Sequence, residues 1–567
     1  MFSLTFESLH TDLSTAIAAV TALVVLVHLV PYLIDSYRLR SYPGPLIAKF
    51  SDAWLAYVVH QGHRSEVIHD LHRKHGPFVR IAPNHVSVAL SDAQPMVCGH
   101  GNGTLKSSFY DAFLTTSSSI FTVRDRPIHT RKRKIISHTF SQKSVLEFAP
   151  HVHRYVDQLL GQWDKLYDKA MRGTNYLTLD IIGDLSFGTP FGMIMAGTDS
   201  VLIAQDSHAV MESYGQAGAK NASKKIKVIK TLGGQSEKFV VTMGALPGWW
   251  RAVLQRTPMF WKGVEDLHAT VGWAVTAISK RLQESTDRND LLSKWQAGKD
   301  EDGNPMSHEE LTAEAVTLLL AGSETTANST IAIIYYIART PSVQDKLHKE
   351  LDEHLGSEVA TAEQAVINEG LRLHSTVAMG LPRVAPEGGM TILGNYFPGV
   401  HRDLVVFGDD VEDFRPERWF ECDSAGVSKA FSPFSVGPRA CIGRNLANLE
   451  LQVILASILK CYDFVLENPD EILPVKENFL RRPLRCRVVD EGPIVHDNCF
   501  SGSPSIQSGV TNLEVGRPYS IGVSEMCSVD SAVTPGHTMS FGRALEVYSG
   551  VVLKIIVPRR AMGLIPK

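Results

Sequence analysis

Residues 431–451 read FSPFSVGPRACIGRNLANLEL, and they place one cysteine directly before an apolar stripe of helical period. This cysteine belongs to the pattern F-x-x-G-x-R-x-C-x-G, formed by Phe434, Gly437, Arg439, Cys441 and Gly443. A buried structural cysteine would account for the thiol, but for neither the glycines nor the arginine. The stretch therefore predicts a binding loop built around one fixed thiol.

The chemistry of this loop points to a flat, acidic ligand. Cys441 is predicted to lie at the N-terminus of a helix that begins near Ile442, where the helix dipole and free N–H groups favour a thiolate. Gly437 and Gly443 permit tight turns and close approach of a flat ligand, and Arg439 can meet an acidic group on it. Haem is such a ligand, and an axial thiolate pushes electron density onto its iron. The sequence thus predicts that Cys441 binds haem iron.

The bulk composition excludes several other classes of protein. The 567 residues include 44% hydrophobic and 20% charged residues, as in ordinary globular proteins, and the formal net charge is −4. Because there is no strong basic field, nucleic-acid binding is not expected. None of the seven cysteines forms a C-x-x-C pair, so the sequence favours a reducing compartment over a disulfide framework or a zinc site.

The N-terminal region is predicted to anchor the chain in a membrane. Residues 13–34 contain no Asp, Glu, Lys or Arg and are long enough to cross a bilayer, which takes about 20 residues. A cleaved signal peptide is the alternative, but no basic residue precedes the run and no small-residue cleavage site follows it. Lys and Arg follow the run instead, which places residues 1–12 in the lumen and the body in the cytosol. Residues 35–48 form a proline-rich linker.

The remaining pattern predicts a mainly α fold with a small β portion. Residues 78–91 alternate as a strand pair, most segments between 125 and 338 have helical character, and Gly/Pro-rich strand signals return between 381 and 400. One domain is expected over residues 49–489. From 490 to 567 the sequence is rich in Ser, Gly and Pro, which predicts an irregular tail.

The loop around Cys441 resembles the haem-binding loop of the cytochrome P-450 family, and the resemblance covers about residues 37–488. It implies that family's fold, haem b as the cofactor, dioxygen as a substrate, and electrons from NADPH passed on by a reductase. AGSETT, residues 321–326, resembles the family's oxygen-activation motif. It lies in a long helix that the capping box of Ser307 and Glu310 predicts.

Within that motif the resemblance implies catalytic roles for Glu324 and Thr325. They would supply an acid and a hydroxyl for proton delivery to dioxygen, while Gly322 would remove a side chain where dioxygen must fit. A mid-helix threonine often bonds its own backbone instead, so the motif alone is weak. Its position upstream of the cysteine loop strengthens it.

Charged residues elsewhere take family roles by resemblance. Glu369 and Arg372 match E-x-x-R, and with Arg418 they would form a buried charge triad that fixes the cysteine loop. Residues 131–134 form a basic cluster, interpreted either as a docking surface for an acidic reductase or as a solvated helix face. The haem propionates would be held by Arg133, Arg383, Arg439 and His129, the last in place of the family's usual tryptophan.

Longer stretches resemble the fungal benzoate para-hydroxylase branch of the family: residues 99–113, 124–141, 179–193 and 371–383. The branch implies para-hydroxylation of benzoate with electrons from NADPH–cytochrome P-450 reductase. The chain would be a single-pass protein of the endoplasmic reticulum membrane, with its catalytic domain facing the cytosol.

The substrate pocket is expected to be mostly apolar, so a benzoate carboxylate inside it would need donors or a cation. Lys106 or Ser107 could serve, and the sequence leaves both open. Each predicted pocket residue could equally be an ordinary surface or core residue. The predicted lining consists of Lys106, Ser107, Tyr110, Leu318, Ala321, Thr325 and Val377.

Three segments are shorter than the family pattern: residues 171–180, 361–370 and 395–403. The last lacks a central strand of the small sheet, which would leave neighbouring N–H and C=O groups unpaired. We therefore expect poor haem loading, and rescue by an insertion there. Misplaced splice boundaries and divergence both explain the gaps. Two further interpretations stay open, namely a monooxygenase of an aromatic or terpenoid secondary metabolite and an inactive relative.

Overall fold

The computed structural model describes residues 6–90, 92–114, 117–163, 170–204, 223–283, 290–353, 361–387, 390, 400–484, 487–490 and 552–558. The helices are α1 (Phe6–Ile34), α2 (Ala53–Gln61), α3 (Arg64–His75), α4 (Ala93–Cys98), α5 (Arg126–Ser137), α6 (Gln142–Leu146), α7 (Ala149–Trp163), α8 (Ala170–Phe187), α9 (Met193–Ala196), α10 (Val228–Thr231), α11 (Glu237–Gly244), α12 (Gly248–Leu254), α13 (Trp261–Gln283), α14 (Leu291–Ala297), α15 (His308–Arg339), α16 (Pro341–Glu353), α17 (Thr361–Leu373), α18 (Leu404–Phe407), α19 (Arg418–Glu421), α20 (Ser424–Ala430) and α21 (Arg444–Cys461). The strands are β1 (Phe78–Ala82), β2 (His85–Val88), β3 (Leu105–Lys106), β4 (Ser200–Ala204), β5 (Ser223–Lys227), β6 (Arg383–Val384), β7 (Tyr462–Leu466), β8 (Val475–Glu477), β9 (Arg481–Pro483), β10 (Arg487–Asp490) and β11 (Val552–Pro558). The predicted fold class, mainly α with a small β portion, is confirmed.

The long helix α15 carries the predicted oxygen motif. Its N-terminus is closed by the predicted capping box, in which Ser307 Oγ accepts from the Glu310 N–H at 3.2 Å and the Glu310 carboxylate accepts from the Ser307 N–H at 3.1 Å. It ends at Arg339, just before Pro341, which has no N–H for the helical ladder. Most of the side chains between these ends are buried, because small and apolar residues occupy most of its circumference.

The largest hydrophobic core surrounds α15. Helices α8, α13 and α21 pack against it, and α7 packs on α8 and α21. Fully buried members of this core include Ile181, Ile278, Ile334 and Ile458. Because α21 follows the cysteine loop and α15 carries AGSETT, this core holds the two predicted motifs on one frame.

Small sheets lie beside the helices. Strands β1 and β2 pair antiparallel with Val79 opposite Ser87, which confirms the strand pair predicted over residues 78–91. Strands β4 and β5 pair antiparallel inside the region that was predicted to be mostly helical. Strand β3 pairs with β6, and Lys106 stands opposite Arg383. That pairing brings two predicted site residues together from distant parts of the chain.

A three-stranded sheet corrects the prediction for the C-terminal region. Its order is β10–β11–β7, with β11 parallel to β10 and antiparallel to β7. The central strand, Val552–Pro558, comes from the segment predicted to be an irregular tail. That prediction is wrong for these seven residues, because a β-branched run pairs here with strands distant in sequence. The rest of residues 491–567 lies outside the described residues.

Helix α1 agrees with the predicted membrane segment. Its stretch Ser14–Ile34 is the one helix of the described residues that is long and apolar enough to cross a membrane, and none of its most apolar window is buried within the protein. Isoleucine, leucine and valine side chains point outward along this stretch. A helix so apolar requires a partner other than water, and a membrane anchor fits.

The three shortened segments meet different outcomes. Residues 171–180 lie within α8, and residues 361–370 lie within α17, so both are helical. Residues 391–399 lie outside the described residues, so the expected loss of a strand there stays a prediction. The chain is described again from Val400, where a 3-10 turn, Val400–Arg402, precedes Asp403.

Candidate active site

The cysteine loop folds back on itself before Cys441. The Cys441 N–H donates to the Phe434 carbonyl at 2.8 Å. Two residues between them have left-handed backbone, Ser435 with φ +60° and Gly437 with φ +75°. A Cβ at position 437 would lie 2.0 Å from the carbonyl oxygen of Cys98, so only glycine fits there.

Cys441 lies just before the N-terminus of α21, as predicted. The N–H groups of Gly443 and Arg444 and the cation of Arg133 lower the pKa of its thiol, but burial outweighs them and raises that pKa. The side chain is nevertheless accessible, because it faces the interior of a cavity. Gly443 has an ordinary φ of −81°, so the predicted tight turn is not the reason for glycine there. A metal that binds the thiolate would overcome the burial effect.

The cavity next to Cys441 measures about 2590 Å³. Sites for drug-sized ligands usually measure about 300–1,000 Å³, so this cavity has room for a flat cofactor together with a substrate. Its walls include Phe434 from the cysteine loop, His129 from α5 and Thr325 from α15. The two motifs singled out in the sequence therefore face the same space.

Four cations gather along this cavity. The side chains of Lys106, Arg133, Arg383 and Arg439 all contribute to its lining. Such a group requires anions, since buried charges must be paired. Each of them donates to a neutral oxygen instead: Arg133 Nη1 to the Ala440 carbonyl at 2.8 Å, Arg383 Nη1 to the Tyr110 hydroxyl at 2.5 Å, Arg439 Nη1 to the Val123 carbonyl at 2.7 Å, and Lys106 Nζ to the Phe121 carbonyl.

These cations repel one another, and the repulsion lowers the pKa of the groups among them. Burial and then Arg439 and Arg383 lower the pKa of Lys106 well below its usual value, and Glu314 opposes them only in part. Burial and the same cluster lower the pKa of His129 to about 3, so its imidazole is neutral. A ligand with two carboxylates would relieve this repulsion.

Haem fits these residues. Cys441 would hold the iron, and the cationic group would meet the two propionates. Lys106, predicted in the substrate pocket, lies on the strand paired with Arg383, which favours a propionate as its partner. His129 can offer only one N–H, because it is neutral.

The oxygen motif has a different internal geometry from the one expected. Thr325 Oγ1 donates to the Ala321 carbonyl one turn earlier, at 2.6 Å, so its lone pairs remain available to the cavity. Gly322 was expected to leave room for dioxygen. Its missing side chain instead faces α8, where a Cβ would lie 2.7 Å from Ile182 Cδ1. Close packing of α15 on α8 is therefore one reason for glycine here, and Gly322 also lines the cavity.

Glu324 also lines the cavity, but its carboxylate is engaged. It is 7% exposed and accepts a hydrogen bond from Arg482 Nη2. Arg482, which the sequence analysis missed, lies on β9 and also pairs with Glu237 of α11. No motif could have revealed this contact, because three separate elements meet in it.

The charge triad is assembled and fully buried. Glu369 Oε1 lies 2.9 Å from Arg372 Nη2 and 2.8 Å from Arg418 Nε, and no surface of the three side chains is exposed. Backbone carbonyls satisfy other guanidinium protons, including Val411 O, which accepts from Arg372 at 2.7 Å. This arrangement meets the condition for burying charge.

Two residues connect the triad to the quoted stretch. Trp419 Nε1 donates to Glu369 Oε2 at 3.0 Å, and its ring lies 4.5 Å from that of Phe431. His401 accepts at its carbonyl from Arg372 and at Nε2 from the Ser432 N–H, at 3.1 and 3.3 Å. Sequence reasoning missed both roles, although the tryptophan follows directly on Arg418 in the stretch 414–419, FRPERW, and the histidine begins the stretch 401–403, HRD.

The other predicted pocket residues are divided between the cavity and the core. Leu318, Ala321, Val377 and Ser107 line the cavity. Tyr110 is fully buried and is not among the lining side chains, because its hydroxyl binds Arg383, which corrects the prediction for this residue.

The basic cluster at residues 131–134 is largely neutralised within the chain. Arg131 pairs with Asp300 and Glu310 at 2.8 and 2.9 Å. Lys132 is fully buried and pairs with Glu310 and Glu314 at 3.1 and 3.2 Å. Both interpretations are thus wrong for Lys132, which is fully buried, whereas Arg131 is partly exposed and the interpretation of its role stays a prediction. The pairs with Glu310 and Glu314 join α5 to α15.

Comparison with known proteins agrees with this geometry. A sequence profile of the cytochrome P-450 family matches residues 43–489. Benzoate 4-monooxygenase bphA of Aspergillus niger is 39% identical over 82% of this chain and 95% of its own length. A cytochrome P-450 monooxygenase of Penicillium roqueforti is 31% identical over 76% of the chain and 91% of its own length. Pisatin demethylase of Fusarium vanettenii is 28% identical over 76% and 86%.

Proposed function

Because the chain belongs to the cytochrome P-450 family and is a haem-dependent monooxygenase, we propose that it hydroxylates benzoate at the para position. The observation that carries the proposal is the 39% identity to benzoate 4-monooxygenase over 95% of that protein. The other two relatives described above reach 31% and 28%. Family membership confirms haem as the cofactor, and electrons from NADPH through a reductase are typical of the family.

Haem, when bound, supplies the redox chemistry that reduces dioxygen and transfers one of its atoms. In the proposal Cys441 holds the iron, while Arg133, Arg383 and Arg439 orient the cofactor through its propionates. The electron donor we propose is NADPH–cytochrome P-450 reductase. The triad of Glu369, Arg372 and Arg418 keeps the cysteine loop in place.

Two residues of α15 would deliver protons to the site. Thr325 Oγ1 already donates to a backbone carbonyl, so it can accept a hydrogen bond from a water in the cavity and orient that water's second proton. Glu324 would take up the replacement proton at its carboxylate. Both side chains line the cavity, which supports their proposed roles.

The aromatic ring of benzoate would lie against the apolar side chains Leu318, Ala321 and Val377. Its carboxylate needs a donor. Ser107 Oγ accepts from the Phe109 N–H at 3.3 Å, which leaves its hydroxyl proton free to donate. Lys106 already belongs to the cationic group, so Ser107 is the donor we favour, and Lys106 is the alternative.

A second function has some support. The relative from Penicillium roqueforti and pisatin demethylase are similar over most of their lengths, and pisatin is named in the latter as the molecule demethylated. A cavity of about 2590 Å³ would also accommodate a molecule much larger than benzoate beside the haem. Oxidation of an aromatic or terpenoid secondary metabolite is therefore the alternative.

Substrate titration of the haem-loaded full chain decides between the two. We expect benzoate to shift the iron spin state and, with reductase and NADPH, to yield 4-hydroxybenzoate. Benzamide, which has the same shape without the charge, is the matched control and should bind at least tenfold more weakly. If benzoate gives neither shift nor product while larger aromatics or terpenoids give both, the alternative replaces the proposal.

The cellular location follows from the anchor. We propose a single-pass protein of the endoplasmic reticulum membrane with its catalytic domain in the cytosol, supported by the apolar helix Ser14–Ile34 and the basic residues after it. A glycosylation acceptor added before residue 1 should be modified, and protease added to sealed microsomes should digest the catalytic domain. An unmodified acceptor together with a protected domain would reverse the orientation.

A further inference from the structure

A buried cluster of one guanidinium and two carboxylates joins three elements at the cavity wall. Arg482 of β9 donates through Nη1 to Glu237 of α11 and through Nη2 to Glu324 of α15. Glu237 and Glu324 line the cavity, whereas Arg482 is not among its lining side chains. Arg482 is 15% exposed and the two carboxylates are 11% and 9% exposed at their side chains. The guanidinium thus holds both acids from behind the wall.

The surrounding backbone is shaped to this guanidinium. The Gly233 carbonyl accepts from Arg482 Nη1 at 3.1 Å. A Cβ at Gly233 would lie 3.2 Å from Arg482 Cζ and 3.4 Å from Glu324 Oε1. The π-helical turn Leu232–Ser236 contains a non-helical residue, Gly234, at φ −97° and ψ −126°. Gly233 therefore lets the chain approach the guanidinium closely.

The second carboxylate is fixed independently. Glu237 Oε1 accepts from the Leu480 N–H at 2.6 Å, so Glu237 binds the hairpin β8–β9 through both of its oxygens. The two acids raise the pKa of Arg482, although burial alone would lower it. Burial raises the pKa of Glu237 to about 7, because one cation cannot fully compensate two buried anions. The cluster therefore shares a single positive charge between two competing carboxylates.

This competition bears on the acid of the oxygen motif. A carboxylate locked in a strong ion pair is a poor proton acceptor, and a carboxylate without a cation in a buried site is held neutral or turns away. Glu324 has to do both, namely stay at the wall beside Thr325 and exchange protons. A guanidinium shared with a second carboxylate satisfies both conditions.

We propose that Arg482 is the positioning residue for proton delivery, that it holds the Glu324 carboxylate at the cavity wall, and that Glu237 weakens this hold by sharing the guanidinium. The inference rests on the proposed role of Glu324. It adds that efficient use of NADPH depends on two residues outside the sequence motif. Arg482 and Glu237 act through Glu324 and touch no reacting atom.

The test compares Arg482→Gln, Arg482→Lys and Glu237→Gln with the wild type as haem-loaded full chains. For each we would measure haem content, the benzoate dissociation constant from the spin-state titration, product and peroxide formed per NADPH, and the solvent isotope effect. Arg482→Gln should keep haem content and benzoate affinity within about twofold but lower product per NADPH at least threefold, with peroxide making up the difference. Arg482→Lys should restore most of the loss, because it restores the cation.

Glu237→Gln should act in the opposite sense on the same step. It leaves Arg482 to Glu324 alone, so the Glu324 carboxylate accepts its replacement proton less readily. The solvent isotope effect should therefore rise while benzoate affinity stays constant. An unchanged product-to-NADPH ratio in Arg482→Gln, or an unchanged isotope effect in Glu237→Gln, overturns the inference. If Arg482→Gln loses haem, the inference is tested by the isotope effect of Glu237→Gln and the product-to-NADPH ratio of Arg482→Lys.

Two controls separate this inference from its premise. Glu324→Gln should itself uncouple NADPH use, and if it does not, the proposed role of Glu324 fails first. Arg281→Gln breaks another buried ion pair, with Asp290 at 2.8 Å, away from the cavity lining. It should lower stability without changing product per NADPH, so a change there equal to that of Arg482→Gln would count against a specific role.

Discussion

At the scale of single residues, the site depends on where a few ionisable groups are placed. Burial raises the pKa of the Cys441 thiol, although its side chain is accessible from the cavity, and burial also raises the pKa of the Glu450 carboxyl. The outcomes differ, because backbone N–H groups and Arg133 assist the thiolate. Glu450 accepts a hydrogen bond from the Thr326 hydroxyl, its one hydrogen-bond donor among the residues that the structure describes. The environment of the Cys441 thiol therefore favours metal binding, and the environment of the Glu450 carboxyl favours the protonated form.

Replacement of the thiol tests the first of these. Under the proposal, Cys441→Ala removes the thiolate ligand of the iron, so the reduced, CO-bound protein should lose the red-shifted Soret band of thiolate ligation. Cys98→Ala, at another free cysteine near the loop, should keep it. A wild-type spectrum of the histidine type would contradict the assignment of Cys441.

The second group predicts a pH dependence of stability. Burial raises the pKa of Glu450 to about 8, from about 4.3 in an unfolded chain. Between these values the folded state keeps a proton that the unfolded state releases, so stability falls as pH rises from about 5 to 8. Glu450→Gln keeps an acceptor for Thr326 and removes this titration.

Urea unfolding of wild type and Glu450→Gln at pH 5.5 and 7.5 measures the effect. Relative to wild type, the variant's free energy of unfolding should rise by about 1.4 kcal/mol per pH unit across this interval. Glu301→Gln, at an exposed carboxylate, is the control and should follow the wild type. Parallel pH profiles for Glu450→Gln and wild type would show that Glu450 is ionised in the fold.

At the scale of elements, the contact between α15 and α8 gives a packing reason for glycine at position 322. A Cβ at this position meets Ile182 Cδ1 at 2.7 Å. The atom is the end of a side chain, so it can move, but the packed core leaves little room. The glycine therefore sets how closely the helix of the oxygen motif approaches its neighbour.

A pair of substitutions separates packing from oxygen access. Gly322→Ala should destabilise the protein by about 1–3 kcal/mol through overpacking, and Ile182→Val in the same chain should recover most of that loss. Urea unfolding of the two single variants and the double variant measures the coupling. If Gly322→Ala is as stable as wild type but produces more peroxide per NADPH, room for dioxygen is the reason for glycine.

Local patterns predicted what lies within one element, and failed where separate elements meet. The capping box of α15, the strand pair at 78–91 and the helix after Cys441 were all predicted, because their signals lie within a few residues. Three other contacts depend on tertiary packing, and the spacing of residues along the chain does not predict them. They are the pairing of Lys106 with Arg383, the contact of Arg482 with Glu324 and the contact of Gly322 with Ile182.

At the scale of the whole molecule, the sheet of β10, β11 and β7 ties the end of the described chain to the catalytic core. Strand β11 lies between the other two and pairs with both. The sequence VLKIIVP is rich in β-branched residues and is a strand signal in itself. The region around it is rich in Ser, Gly and Pro, and this composition led to the wrong prediction of an irregular tail.

Truncation tests the importance of this strand. Removal of residues 550–567 should abolish haem loading, because β7 and β10 would each lose a partner and each unpaired buried group costs about 1–3 kcal/mol. Net stabilities are about 5–15 kcal/mol, so several such losses exceed them. Removal of residues 560–567 alone keeps β11 and should preserve the CO spectrum. Haem-loaded protein from the longer truncation would show that β11 is dispensable.

The position of β11 in the chain also sets an order of events during translation. Both of its neighbours leave the ribosome earlier, and the residues between Asp490 and Pro558 take several seconds to synthesise at about 5–20 residues per second. Throughout that interval β7 and β10 expose strand edges with no partner between them, a template for pairing with other chains. A slower ribosome over this stretch would prolong that exposure, so synonymous codons here influence how much of the protein aggregates before it matures.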